Sequence, residues 1–126
     1  MRKPQKVLVV EDETSLNEAY QITLKKEGYE VYAAFDGHQA LEIVTKVEPD
    51  LILLDVRMPG KDGIEFLRDY RDKFKDSSAK IVVFSNLDQD GQVDQAYDLG
   101  ADKYILKALA APKDLVKLVK SILAQN

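Results

Sequence analysis

At 126 residues, 45% hydrophobic and 32% charged, the chain has the size of one domain and can bury roughly two thirds of its unfolded surface. A net charge of −4 argues against the basic footprint of a nucleic-acid binder, no apolar run approaches the ~20 residues of a membrane span, and the lack of cysteine excludes a disulfide framework or a thiolate metal site. The charged start, Met1 to Lys6, precedes only a five-residue strand-like run and no signal region, so a cytoplasmic location is expected.

Lys6 to Val10 is a compact β-rich run ended by Glu11 and Asp12. Thr14 or Ser15 then opens a helix, and Ser15-Leu-Asn-Glu18 has the spacing of a capping box. Leu16, Ala19 or Tyr20, Thr23 and Leu24 recur at helical spacing, and Gly28 is the expected left-handed stop. Glu30 to Phe35 is a second strand, less apolar and therefore expected at a sheet edge. Asp36-Gly37 opens a helix with Ala40, Leu41, Val44 and Val47 on one stripe, halted before Pro49 because the residue preceding proline resists helical angles.

Leu51 to Leu54, four large apolar residues in a row, run straight into Asp55 and then into the turn at Pro59-Gly60. Such a run fits a strand covered on both faces, with Asp55 at its carboxyl end, where ligands bind in open α/β sheets. Asp55 could equally satisfy amides in the following turn. A helical pattern starts at Asp62 with Ile64, Phe66, Leu67, Tyr70 and Phe74, and is expected to be the long helix. Ala79 to Phe84 is the fourth strand and delivers Ser85 at its end; residues 86 to 91 read as loop. A short, weakly apolar helix from about Gln92 to Leu99 stops at Gly100. Lys103 to Leu106 is the fifth strand, ending at Lys107, and Pro112 opens a last helix with Leu115, Val116, Leu118, Val119, Ile122 and Leu123 on a wide apolar face.

Five alternating strand-helix units imply an α/β fold: a doubly wound parallel sheet with helices on both faces and right-handed crossovers. The expected architecture is flavodoxin-like (βα)5 with strand order 2-1-3-4-5, which sets Asp12 beside Asp55 at the switch point.

Four strands thus end in residues able to do chemistry: Glu11 and Asp12, Asp55, Ser85 and Lys107. Singly, each has a structural explanation, such as acids favouring a helix start or a serine capping a turn. Together they occupy one edge of one sheet. Two like charges 4 Å apart repel by ~4 kcal/mol at an effective dielectric of 20, so three clustered carboxylates need a cation or protons. All-oxygen donors suit the hard ion Mg²⁺. Lys107 adds a fixed positive charge, and an anion could bridge the ion, Lys107 and the Ser85 hydroxyl. Phosphoryl fits, with Asp55 as a nucleophile that forms an acyl phosphate.

Over roughly residues 5 to 124 the chain resembles the receiver domain of bacterial two-component response regulators. The resemblance rests on Val9-Val10-Glu11-Asp12-Glu13, on Leu53-Leu54-Asp55 through Gly63, on Val82-Val83-Phe84-Ser85 and on Tyr104-Ile-Leu-Lys107, in order. It implies that Asp55 accepts the phosphoryl group and that Glu11, Asp12, Asp55 and the backbone carbonyl of Arg57 hold the divalent ion. It further implies that Ser85 is the switch hydroxyl, that Lys107 pairs with the phosphoryl group, and that Tyr104 turns inward when Ser85 moves. The donor would be a phosphohistidine on a sensor histidine kinase or a histidine phosphotransfer protein. The chain's one histidine, His38, reads as a surface residue away from the site.

Three departures stand out. Asn86 follows Ser85 where a small residue is usual. Ala108 follows Lys107 where a cis proline is common, which leaves that peptide trans or strained. Arg57 and Leu87 occupy the positions that tune hydrolysis of the acyl phosphate, and apolar Leu87 is expected to hinder the attacking water.

Low apolar content and Gly91 mark the region after Ser85 as the least stable unit. The surface formed by the fourth helix, fifth strand and last helix is the expected output face, with Tyr97, Lys103, Leu109 and Lys117 as contact residues. The expected partners are a kinase or phosphotransfer protein and a downstream protein target or attached output domain, with no direct nucleic-acid or membrane binding. Residues 1–126 read as a single receiver domain; a stand-alone regulator and a piece of a longer protein remain open, with Met1 favouring the former. A rival reading is an aspartate-nucleophile phosphatase, which Arg57 opposes by standing where a second acid is wanted. A degenerate receiver that binds partners unphosphorylated is another. A nucleotide site is disfavoured because no glycine-rich phosphate loop follows the first strand.

Overall fold

The structure, a computed structural model, describes residues 3–56, 62–85 and 92–124, without the side chains of Gln92, Val93 and Leu109. Five parallel strands, β1 (Lys6–Val10), β2 (Glu30–Ala34), β3 (Leu51–Asp55), β4 (Lys80–Ser85) and β5 (Lys103–Leu106), lie in the order β2-β1-β3-β4-β5. Helices α1 (Thr14–Lys26), α2 (Gly37–Lys46), α3 (Gly63–Lys73), α4 (Gln92–Asp98) and α5 (Pro112–Leu123) alternate with them, and a short 3₁₀ turn spans Lys107–Leu109. Fold class and strand order are those expected, and β2 is an edge strand.

The strand period of two divides the core into two layers. Leu8, Val10, Ile52, Leu54, Ile81 and Val83 face the side covered by Ala40, Val44, Phe66, Leu67, Tyr70 and Ala96, from α2, α3 and α4. Val7, Val9, Leu51, Leu53, Val82 and Phe84 face the other side, covered by Tyr20, Leu24, Leu115, Val116, Val119 and Ile122, from α1 and α5. The central strands are therefore apolar on both faces, which is why β3 reads as a continuous run rather than an alternation.

Local chemistry sets the helix ends. Asp36 and Asp62 cap α2 and α3 by accepting from the amides of Gln39 at 2.8 Å and Glu65 at 2.9 Å. Gly28 and Gly100 follow α1 and α4 at φ of +93° and +92°, the expected left-handed stops. Two expectations fail. The Ser15–Glu18 capping box does not form: α1 starts at Thr14 after Glu13, which makes no side-chain cap. The Glu13 amide instead donates to Glu11 Oε2 at 2.9 Å, so an acid from the strand end does the capping. Nor is α3 the long helix; it has 11 residues against 13 in α1, because its chain leaves helical angles at Phe74. Among the described residues no peptide bond is cis, so Lys107–Ala108 is trans.

Candidate functional site

The strand order reverses between β1 and β3, and because the two run parallel their carboxyl ends lie side by side. Val10 pairs with Leu54, so Glu11 and Asp12 emerge level with Asp55. Glu11, Asp12 and Asp55 each offer a carboxylate oxygen within 4.8 Å of the others, an all-oxygen set able to hold a metal ion. Glu11 and Asp55 are buried at 0% and 1% exposure, and Asp12 is exposed, so the cluster opens to solvent on the Asp12 side. From the end of β5, Lys107 reaches back past β4 to this cluster. Its Nζ donates to Asp55 Oδ2 at 3.0 Å and lies 2.6 Å from Glu11 Oε1, with the ring of Phe84 5.7 Å away.

One ammonium thus stands against three carboxylates. Burial pushes the Glu11 carboxyl up to about 7, against the pull of Lys107 and the Glu13 amide, and the charge of Asp55 adds to the rise. Burial would lower Lys107, but its contacts with Glu11 and Asp55 outweigh that and hold the ammonium above its ordinary value. The site therefore has a fixed cation and an excess of buried anionic capacity.

Three further residues hold this geometry and carry no chemistry of their own. Gly63, at the first position of α3, donates to Val56 O at 2.8 Å, and a Cβ there would sit 2.2 Å from the carbonyl oxygen of Asp55. Asn17, buried on α1, donates to the carbonyl oxygens of Glu11 and Ala34. Tyr20, one turn on, donates to Ala110 O at 2.8 Å while its ring meets Phe84 edge-on, which ties α1 to the turn carrying Lys107. Burial raises the Tyr20 phenol to about 12, keeping it a donor.

A sequence profile described as the response regulator receiver domain matches residues 7–120. The chain belongs to this family. Solved receivers have the same fold. A receiver domain protein from Methanospirillum hungatei is 25% identical, with 98% of this chain and 96% of that one covered and a TM-score of 0.89. The chemotaxis protein CheY4 of Vibrio cholerae is 29% identical over 94% and 98% of the two chains, at 0.85. The response regulator TrrA of Thermotoga maritima, solved in complex with Mg²⁺–BeF, is 33% identical over 93% and 97%, at 0.77. The chain is thus a receiver domain of a two-component system, a signalling switch.

Most residues expected at this receiver's site fall on one edge of the sheet. Glu11, Asp12, Asp55 and Lys107 come together directly. Ser85 ends β4, buried, in register with Leu106 and one position beyond the residue paired with Asp55. Tyr104 lies on β5, half-buried against the core; its hydroxyl oxygen is buried and has no hydrogen-bond partner among the described residues. Arg57, Asn86, Leu87 and the loop 86–91 lie outside the described residues, as does the side chain of Leu109. Tyr97, at 46% exposure, and Lys103 and Lys117 are exposed on α4, β5 and α5. His38 is exposed in the first turn of α2. None of the described helices is long and apolar enough to cross a membrane.

Sequence reading assigned no positioning role to Gly63, Asn17 or Tyr20. A signal existed for the first: Asp62 already caps α3, so a glycine at the next position answers no local need. An asparagine on the apolar side of α1 was the signal for the second.

Proposed function

We propose that this receiver takes a phosphoryl group on Asp55 from a phosphohistidine of a sensor histidine kinase or phosphotransfer protein, and relays the change through the face built by α4, β5 and α5. The observation that carries the reading is the convergence of Glu11, Asp12 and Asp55 within 4.8 Å, with Lys107 bonded to Asp55. A carboxylate oxygen of Asp55 attacks phosphorus, the phosphorus–nitrogen bond breaks, and the imidazole leaves with the electron pair. Lys107, already 3.0 Å from Asp55 Oδ2, supplies a fixed positive charge where phosphoryl charge accumulates. Glu11, Asp12, Asp55 and the carbonyl of Arg57 would hold Mg²⁺, whose hard oxygen preference matches these donors. When bound, the ion neutralises charge on the phosphoryl oxygens. The Mg²⁺–BeF complex of the Thermotoga maritima relative supports this assignment. Water attack on the acyl phosphate releases phosphate and restores Asp55, so the phosphorylated species this chain hydrolyses is its own mixed anhydride.

The added phosphoryl group brings nearly two negative charges and strong acceptors. Ser85 is the hydroxyl that would answer them, and Tyr104 the neighbouring aromatic whose position depends on Ser85. Arg57 and Leu87 tune hydrolysis. Replacing Leu87 by a polar residue should speed phosphate release in a timed assay; unchanged or slower release counts against that role. The exposed Tyr97, Lys103 and Lys117, with Leu109, are the contacts proposed for a downstream protein or attached output domain. The setting is the cytoplasm, where such kinases present their phosphohistidine.

Incubation with acetyl phosphate and Mg²⁺ followed by intact mass tests the central step. The wild type should gain one phosphoryl group and Asp55→Asn none. No gain in either would leave an unphosphorylated interaction module, and a gain in both would remove Asp55 from its role.

A further inference from the structure

We propose that Asn17 is a positioning residue for the acid pair, setting the geometry with which Glu11 and Asp12 meet a divalent ion; this rests on the reading of the site given above. Asn17 lies on α1, outside the ion's reach, and is completely buried. Its Nδ2 donates to Glu11 O at 2.9 Å and to Ala34 O at 3.1 Å, and its Oδ1 accepts from Gln21 Nε2 at 2.8 Å. The opposite amide orientation would set an oxygen against two carbonyl oxygens, so the network itself fixes which end is nitrogen.

The carbonyl of Glu11 belongs to the peptide that joins Glu11 to Asp12. Asn17 therefore orients the plane from which both acidic side chains depart. The same residue is tethered on its other side, where Glu11 N donates to Ala34 O at 3.1 Å. Ala34 O thus takes two donors, one from the Glu11 backbone and one from Asn17, and locks the acid-bearing end of β1 to the end of β2. At the carboxylate itself, Glu11 Oε2 accepts from Glu13 N at 2.9 Å. Beyond the last strand pairing of β1 with β2, at Val10 and Ala34, no ladder holds the chain; these contacts take over. Asn17 also satisfies buried carbonyl oxygens, so its loss carries a stability cost that has to be separated from any effect on ion binding. Outer residues that orient ligand groups commonly change metal affinity by about 10- to 100-fold when replaced.

Calorimetric titration of Mg²⁺ into the ion-free chain, well below its unfolding temperature, tests this. Asn17→Leu should weaken Mg²⁺ binding by about tenfold or more. Asn17→Ser, which keeps one hydroxyl donor, should fall between it and the wild type and reads the effect should Asn17→Leu fail to fold. Leu24→Ala, a cavity in the same helix away from the site, should lower the unfolding midpoint and leave the Mg²⁺ Kd where it was; a Kd that follows stability in all three variants would overturn the inference. Wild-type affinity in Asn17→Leu or Asn17→Ser would sink the inference alone. A wild type that binds no Mg²⁺ would sink both it and the receiver chemistry proposed for the site.

Discussion

Gly63 shows how narrowly one residue can constrain this site. Its Cα lies so close to β3 that a methyl group would stand 2.2 Å from Asp55 O and 2.8 Å from Val56 Cα, distances that backbone atoms cannot accept. Something has to move, and the options are the start of α3 or the segment that aims the Asp55 carboxylate. Gly63→Ala should destabilise the domain by about 1–3 kcal/mol, the usual range for overpacking, although alanine is otherwise the better helix former. Urea unfolding checks the first effect. Slower phosphorylation of Asp55 by acetyl phosphate checks whether the strand end is what shifts. A variant as stable and as fast as wild type would show that the close approach relaxes freely.

Among the elements, α4 depends most on its neighbours. It has only seven residues, and a helix that short does not hold itself in water. Arg71, from α3, fastens its carboxyl end: Nε donates to Leu99 O at 2.8 Å and a terminal nitrogen to Gly100 O at 2.9 Å. Gly100 is required there for its φ of +92°, and a Cβ would also displace the guanidinium, which it would meet at 2.7 Å. Asp102 extends the attachment by accepting from Ile81 N at 2.7 Å and donating its own amide to Ile81 O at 2.7 Å. The end of α4 farther from Asp55 is thus pinned. Arg71→Ala should cost about 1–3 kcal/mol, as expected for lost charge-assisted hydrogen bonds, and should speed amide exchange from Ala96 to Ala101 more than elsewhere. Uniform exchange across the domain would argue that Arg71 contributes only to global stability.

For the whole molecule the governing quantity is charge held at one sheet edge. Burial raises the Glu11 carboxyl from 4.5 to about 7, so the ion-free folded state binds a proton more tightly than the unfolded chain does. That contribution to stability is complete below pH 4.5 and is lost as the pH rises through about 7. Mg²⁺ held as proposed would displace this proton, so its affinity should climb by up to ~10-fold per pH unit below about 7 and level off above it. Urea unfolding with and without Mg²⁺, from about pH 5 to pH 8, reads both effects together. The ion should add ~2.7 kcal/mol at 100 times its Kd, and at a fixed concentration the gain should be larger at the alkaline end. A gain independent of pH would mean that Glu11 is ionised throughout, with Lys107 and the Glu13 amide compensating its burial.

The sequence by itself determined the fold and the chemical inventory of the site. Runs such as Leu51 to Leu54 can exist only where both faces of a strand are covered, and Asp55, Ser85 and Lys107 each close a run at its carboxyl end. Alternation and handedness narrow the strand orders, and the flavodoxin-like order among them brings the β1 and β3 ends together. The local signals that misled, the Ser15–Glu18 spacing and the length assigned to α3, concern a few tenths to about 1–2 kcal/mol each, which tertiary contacts readily override. Only the tertiary structure decided what holds the site in shape. Glu11 caps α1 because Glu13 lies within its reach, Asn17 faces the one peptide that joins the two acids, and Gly63 passes beside the Asp55 carbonyl. Such contacts join residues to backbone atoms on other elements, and backbone atoms are the same at every residue, so a pattern can mark Asn17 or Gly63 as out of place without telling which backbone atom each one meets.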